Sequence, residues 1–445
     1  MRQAHVQFLK LSKRLKPSSE KEVVLLIGAV NRRIPTRGNA VDQMAESVAH
    51  GVAKLLRYHV KVADTCADQP LNLRTFTAIV HCRSILAPAA QKQPIVEARD
   101  VKKLTLRLDD NVSMRAWLMD GFDGVEKLRL GEVAEAAPGT GEVLLRVRFV
   151  ALNPADAFLS RGMYPAKPKL PHILGRDAVG EVVAAGPGVG WPQKGESVGI
   201  LRCEVGVNVR GALAEYVVAP AESLAPIPQG WNAEEMACAP LVFLTAWQAI
   251  TQWREPEAPP EAGSVLLVTG ASGGVGVASV LLGKSMRLTV VGLSRSAAKG
   301  EKLKALGADA VFDPEDRDLR AKVSAAIAPR KVDLAVDNVG GTLFPQIIAM
   351  LGYGGKISVV GRSAGPVPEF NTGTLFFRRN RIGGVAVSDY TAEAAQTVWK
   401  EIVRRLAEAG KKPVIDRVFP FEDAIAAFGR LAEGPMGKVV VRVAG

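Results

Sequence analysis

Cysteine is scarce. The 445-residue chain holds four, Cys66, Cys82, Cys203 and Cys238, with no CxxC pair. That spacing argues against a disulfide framework or a cysteine zinc cluster and fits a reducing compartment, so a cytoplasmic protein is expected. Long apolar runs are also missing. Although 48% of the residues are hydrophobic, every apolar stretch breaks well short of the roughly 20 residues a spanning helix needs. No stretch near the start pairs a short apolar core with a small-residue cleavage site. Aromatic residues make up only 6% of the chain and do not interleave with basic ones. The net charge of +12 therefore lacks the pattern of a nucleic-acid surface, and neither nucleic acid nor membrane is an expected partner.

The charge is uneven. Residues 1–113 hold 19 Lys and Arg against 10 Asp and Glu, so +9 of the +12 arises there. The same stretch has four of the five histidines but three of the 43 glycines. One strand, "EVVLLIGAV", and one helix, around "AVDQMAESVAHGVAKLLRYHV", are expected in it. Its first 19 residues carry five basic and no acidic side chains, a bias shared with organelle-targeting peptides. The expectation preferred here is an upstream extension, of the kind an early-called start codon gives, with poorly packed structure.

From Met114 the texture changes. "MRAWLM", "GEVLLRVRFVALNP", "GRDAVGEVVAAGPGV", "ESVGIL" and "ALAEYVVAP" read as short strands bounded by Gly and Pro turns, with a loop expected after Asn153-Pro154. A βα alternation follows, from "SVLLVTG" and "GVGVASVLLGKSM" to the helix "TLFPQIIAMLGYGG" and the strand "KISVVG". Such alternation implies a parallel sheet covered on both faces. "TAEAAQTVWKEIVRRLAEAG" places Ala395, Val398, Trp399, Ile402, Val403 and Leu406 on one helical face, with Thr391 to cap its start and Gly410 its end. The final "GKVVVRV" is a strand expected to return to the first domain.

The loop after "SVLLVT" reads A-S-G-G-V-G from Ala271, so Gly273 and Gly276 fill the last two positions of a dinucleotide fingerprint. Ala271, Ser272, Gly273, Gly274 and Val275 are the candidate phosphate-binding residues, with helix-start amides facing the anion. The next strand ends in Ser294 and Arg295, with Lys299 a turn later. No carboxylate stands there to take a ribose hydroxyl, and two cations suit a 2′-phosphate. NADPH is the expected cofactor.

"LNPADAFLSRGMYP", "PHILGRDAVGEV", "LVFLTAWQAI", "VTGASGGVG", "ALGADAVFD" and "GKVVV" occur in an order that resembles the medium-chain dehydrogenase/reductases, in particular the zinc-independent quinone oxidoreductases. The resemblance covers nearly all of 114–445 and none of 1–113. It implies an α/β fold, with a GroES-like β domain at 114–238 and 389–445 and a Rossmann doubly wound parallel sheet domain at 239–388. It also implies a homodimer, pairing through the strand that "NTGTLFFRRNRIGGVAV" precedes, and a cleft bordered by Phe376 and Phe377. The catalytic-zinc positions of related alcohol dehydrogenases correspond to Pro154, Arg176 and Leu241, none of which is a ligand, so no metal is expected.

A quinone or an enone accepts hydride without a Lewis acid if its oxygen gains hydrogen bonds. Tyr164 is the candidate catalytic residue for that oxygen. By the same resemblance Asn153, Thr245, Asn338, Val339, Gly361 and Lys438 line the cofactor. Asp313-Pro314 stands where relatives often carry a tyrosine near the adenosine phosphate. The function implied is NADPH-dependent reduction of a quinone or an α,β-unsaturated carbonyl. The alternatives are an enoyl or acrylate-type reductase with a different pocket, or a cofactor-binding protein without turnover, crystallin-like or RNA-touching.

Overall fold

The computed structural model describes residues 113–367 and 369–444, together with three short strands in the first 111 residues. Two compact units divide the chain, Met1–Asn111 and Val112–Gly445. In the first unit β1 (Val24–Ile27) runs parallel to β2 (Phe76–Val80), which pairs antiparallel with β3 (Leu104–Leu106). β1 lies within the strand expected there. The helix expected around residues 40–60, Cys66 and Cys82 lie outside the described residues.

The second unit contains two larger sheets. One is built from β6 (Glu142–Ala151), β8 (Asp177–Ala185), β9 (Ser197–Ile200), β10 (Tyr216–Pro220), β11 (Leu224–Pro226), β18 (Ile415–Pro420) and β19 (Lys438–Arg442). Its order is β11-β9-β8-β6-β19-β18, with β10 also on β6. A small sheet of β4 (Ser113–Met119), β5 (Arg129–Ala134) and β7 (His172–Ile173) lies in the same half, in the order β5-β4-β7. Val143, Leu145, Val147, Val150, Val182 and Val439 of these strands pack into one core with Trp117 and Phe428.

The other sheet is parallel: β12 (Val265–Val268), β13 (Thr289–Leu293), β14 (Ala310–Phe312), β15 (Val332–Asp337), β16 (Leu351–Val359) and β17 (Arg381–Gly384) lie in the order β14-β13-β12-β15-β16-β17. All four residues of β12 are fully buried, as a central strand with both faces covered requires. Leu266 and Val268 face a core shared with helices Pro240–Thr251, Gly274–Ser285 and Ala392–Glu408. Val265 and Leu267 face a core with helices Leu319–Ile327 and Leu343–Met350. The strand order reverses between β12 and β15, which opens a crevice at their carboxyl ends.

Two expectations differ from the structure. Asn153-Pro154 opens not a loop but the helix Pro154–Ser160, with proline in its first turn and Asp156 accepting from the Asn153 N–H at 2.9 Å. The helix expected over "TLFPQIIAMLGYGG" stops at Met350, and β16 begins at Leu351, because Gly352, Gly354 and Gly355 are poor helix formers. Helix Ala392–Glu408 packs on helices Pro240–Thr251 and Gly274–Ser285 and also reaches the β half, where Gln396 Nε2 donates to Leu224 O at 2.6 Å; the chain enters the first sheet at β18. Its apolar face, with Trp399, Ile402 and Leu406 buried, is complementary to those helices. The Thr391 cap is present, accepting from Ala394 N–H at 3.1 Å.

Candidate active site

The turn from Thr269 to Gly273 links β12 to helix Gly274–Ser285. Gly273 is the residue before the helix and supplies no capping side chain, so the first helical amides are left for a ligand. The glycines of the turn do different work. A Cβ on Gly273 would meet only Gly270 O, at 3.5 Å, leaving that face open. A Cβ on Gly276 would lie 2.3 Å from Gly270 O and 2.7 Å from Ala271, which closes the helix onto the turn. An open, uncapped helix start above a tightly packed turn fits the pyrophosphate of a dinucleotide. Ser272, Gly274 and Val275 are half-buried around it. Ala271 is fully buried and its N–H is used by Leu293 O at 3.0 Å.

Beside the turn, Thr269 ties β12 to β15. Its hydroxyl donates to Asp337 Oδ1 at 2.7 Å and accepts from the Asn338 N–H at 2.9 Å. Asn338 Nδ2 donates to Thr269 O at 2.8 Å, while Asn338 Oδ1 is buried without a partner. Val339 packs near Gly270, and a Cβ on Gly361 would sit 2.9 Å from Asn338 O. These three residues therefore form one cluster at the crevice. At the end of β13 the Ser294 side chain is buried and its hydroxyl lies 3.4 Å from Ser296 O. Arg295 is exposed, with no ion pair among the described residues. Lys299 is committed, its ammonium donating to Gly434 O. No carboxylate ends β13; Asp313, past the end of β14, accepts from Glu315 N–H at 2.9 Å.

A buried polar network lies under the turn. The Gly437 N–H donates to Ser272 O at 2.8 Å, which stitches the residue before β19 onto the turn. The next side chain, Lys438, crosses Gly274: a Cβ there would lie 3.1 Å from Lys438 Cδ. Lys438 Nζ donates to Asn153 Oδ1 at 2.5 Å and Asp177 Oδ2 at 3.1 Å. Asn153 Nδ2 donates to the same Asp177 oxygen at 3.0 Å, and Leu241 N–H to Asp177 Oδ1 at 3.1 Å. Thr245, one turn along, spends its hydroxyl proton on Leu241 O at 2.6 Å.

Next to Asp177, Arg176 is buried, with Nε 3.6 Å from Asp156 Oδ1. Its Nη1 lies 3.4 Å from the Tyr164 hydroxyl and its guanidinium 5.1 Å from that ring's centre. Burial works against the Arg176 charge, but Asp156, Tyr164 and Asp177 outweigh it and hold its pKa above the ordinary value. Burial pushes the Asp156 carboxyl up, against the pull of Arg176.

The structure thus joins Asn153, Lys438 and the phosphate turn directly, and reaches Tyr164 only through Arg176. Asn153, expected to line the cofactor, spends both ends of its amide on Lys438 and Asp177. Asp156 and Asp177 belong to the site and were not singled out from sequence. The Asn-Pro-x-Asp pattern was the available signal for Asp156. Among the described residues no group of three or more His, Cys, Asp or Glu could hold a metal ion. Burial pushes the Cys203 thiol up to about 11, far from a reactive thiolate. No described helix is long and apolar enough to cross a membrane.

A sheet of reversed parallel order with a glycine turn at its switch point, returned to a β domain by the last strand, defines a nicotinamide-dependent dehydrogenase or reductase. Comparison with known proteins agrees. Residues 139–229 match the alcohol dehydrogenase GroES-like domain, and residues 274–408 the family described as zinc-binding dehydrogenase. A quinone oxidoreductase from Mus musculus is 28% identical over 333 residues, 74% of this chain and 97% of that protein. The crystal structure of an NAD-dependent alcohol dehydrogenase is 32% identical, with TM-score 0.68, and its whole length matches 74% of this chain. A mycobacterial protein complexed with NADPH is 26% identical with TM-score 0.66, again over its full length and 74% of this chain. The chain belongs to the medium-chain dehydrogenase/reductase superfamily and is quinone oxidoreductase-like.

Proposed function

We propose that the protein is an NADPH-dependent reductase that delivers hydride to a quinone or an α,β-unsaturated carbonyl without a metal. The observation that carries this is the convergence of Pro154, Arg176 and Leu241. Asn153, next to Pro154, and the Leu241 amide both bind the Asp177 carboxylate, and Arg176 precedes it. The three positions that resemble a zinc site therefore meet, and they bring a guanidinium in place of ligands. Acceptors that need only hydrogen-bond donors at oxygen suit such a site.

The residues around the glycine turn fit the dinucleotide: Gly273 and Gly274 the pyrophosphate, Ser294 and Arg295 the 2′-phosphate, and Asn338, with its unpartnered carbonyl oxygen, a donor group of the cofactor. The reduced nicotinamide supplies the hydride. Asp177 and Lys438 hold the wall beneath the turn, and Tyr164 stands at the acceptor side with a hydroxyl able to donate. The name of the mouse relative supports the quinone assignment. A homodimer is proposed from β17, an edge strand with exposed Ile382 beside exposed Phe376 and Phe377. The deciding experiment is NADPH oxidation across a panel of quinones, enones, 2-enoyl thioesters and simple ketones, before and after exhaustive chelation. Turnover with quinones or enones that survives chelation is expected. Oxidation of simple alcohols with NADP, and no response to quinones or enones, overturns the proposal.

A further inference from the structure

Arg176 is a buried cation whose hydrogen-bonding capacity is mostly unspent. Its side chain is 9% exposed, yet Nε and Nη2 are buried with no partner. The neighbouring carboxylate does not use them. Asp156 Oδ1, itself buried without a partner, lies 3.6 Å from Nε, within ion-pair reach but beyond a hydrogen bond, and Asp156 Oδ2 is taken by the Asn153 N–H. Asp177 is occupied by Lys438, Asn153 and Leu241. Tyr164 takes the face of the guanidinium and reaches only Nη1. A buried donor without an acceptor is costly and uncommon. Here two sit on one fork, compensated in charge but not in hydrogen bonds.

The fork is also held in place. A Cβ on Gly206 would lie 2.5 Å from Gly175 O and 2.9 Å from Arg176 N, and one on Gly211 would lie 2.6 Å from Gly175 O. The loop around these two glycines clamps the backbone from which Arg176 projects. Preorganised donors near a half-buried tyrosine are what an anionic oxygen requires.

We propose that Arg176 is a catalytic residue whose free Nε–H and Nη2–H receive the oxygen of a conjugated carbonyl acceptor and carry its negative charge after hydride addition. This rests on the reductase reading above and names its substrate class: acceptors in which the carbon gaining hydride is conjugated to a carbonyl oxygen. With an enone, hydride from the reduced nicotinamide bonds to the β-carbon. The C=C pair moves to form the Cα–C(O) double bond, and the C=O pair moves onto oxygen as an enolate. Water then protonates the α-carbon, and the hydroxide left behind enters the solvent. The acceptor is reduced by two electrons and the nicotinamide oxidised by two.

The test needs no cofactor. 4-Nitrophenol, whose ionisation is visible in its absorption, serves as the oxyanion probe. Bound to the wild-type protein it should ionise at a pH at least one unit below that of the free phenol. Arg176→Gln should abolish the shift and weaken phenolate binding at least tenfold. Asp156, Asp177 and Tyr164 act on the guanidinium, and its charge reaches His172 and Cys203, so the comparison is made at fixed pH as well as by titration. If Arg176→Gln alone fails to fold, the Asp156→Asn/Arg176→Gln pair removes both charges together and gives the same readout. No ionisation shift in the wild type, or an unchanged shift in either folded variant, overturns the proposal. The turnover panel decides the reductase reading separately. A protein that reduces quinones or enones but shows no Arg176-dependent shift keeps that reading and loses this inference. A protein with the shift and no reduction keeps the oxyanion site and loses the reading.

Discussion

Lys438 and Asn153 lie 285 residues apart, and the ammonium of one donates to the amide oxygen of the other at 2.5 Å. Both also bind the Asp177 carboxylate, whose residue is fully buried. Removing one partner of a buried pair strands the other charge and typically costs ~3–5 kcal/mol. Lys438→Met should destabilise the protein by about that amount in urea unfolding, and adding Asp177→Asn should recover part of it. Additive losses in the double variant would show that the pair does not act as a unit.

The two fingerprint glycines should fail in different ways. Gly276→Ala forces a Cβ into backbone 2.3 Å away and should cost ~1–3 kcal/mol of stability. Gly273→Ala meets nothing closer than 3.5 Å, so its melting temperature should stay close to that of the wild type. It should nevertheless weaken NADPH binding at least tenfold, because the new methyl fills the face left for phosphate. Calorimetric titration of each variant, read with its thermal melt, separates the two outcomes.

Arg295→Ala should raise the dissociation constant for NADPH at least tenfold and leave that for NADH nearly unchanged. Arg295 is exposed, whereas the Lys299 ammonium already donates to Gly434 O, so Lys299→Ala should have the smaller effect. Fluorescence titration with both cofactors measures this. Equal losses for NADPH and NADH would remove Arg295 from the 2′-phosphate site.

Stability should fall with acid through His172. Burial lowers its pKa from 6.5 to about 4, with the Arg210 and Arg176 charges adding and a backbone hydrogen bond at Gly206 opposing. Between about pH 6.5 and pH 4 the unfolded imidazole binds a proton that the folded one refuses, so the folded state loses ground as pH falls. Below about pH 4 both states are protonated and the loss levels off. His172→Gln should flatten this part of the stability curve by roughly 1–3 kcal/mol, measured by denaturant unfolding from pH 7 to pH 4.

The phosphate turn was legible in the sequence because every part of it is local: a buried strand, glycines at fixed offsets, and a helix starting at once. The wall beneath it was not. Asp156, Arg176, Asp177 and Lys438 come from a helix start, a strand entrance and the last strand, and only the sheet order brings them together. Lys438 was expected near the cofactor because of the family resemblance; its side chain crosses Gly274 of the turn, and its ammonium donates to Asn153 and Asp177. The helix at Pro154 was readable from its cap, its first-turn proline and the acid at the third helical position, yet Asn-Pro is equally a turn signal. Tertiary packing on Asp177 and Arg176 decides between them.

The placement of β19 sets an order on synthesis. Phe149, Val150 and Ala151 of β6 are made early, but their ladder partners are Arg442, Val441 and Val440. Until Gly437 and β19 leave the ribosome, that part of β6 is an open edge, Asp177 lacks its cation, and the glycine turn lacks the Gly437 stitch. A chain without Gly437 and β19 is left with an unpaired edge at Phe149–Ala151, an Asp177 carboxylate without its ammonium, and a glycine turn open at Ser272 O.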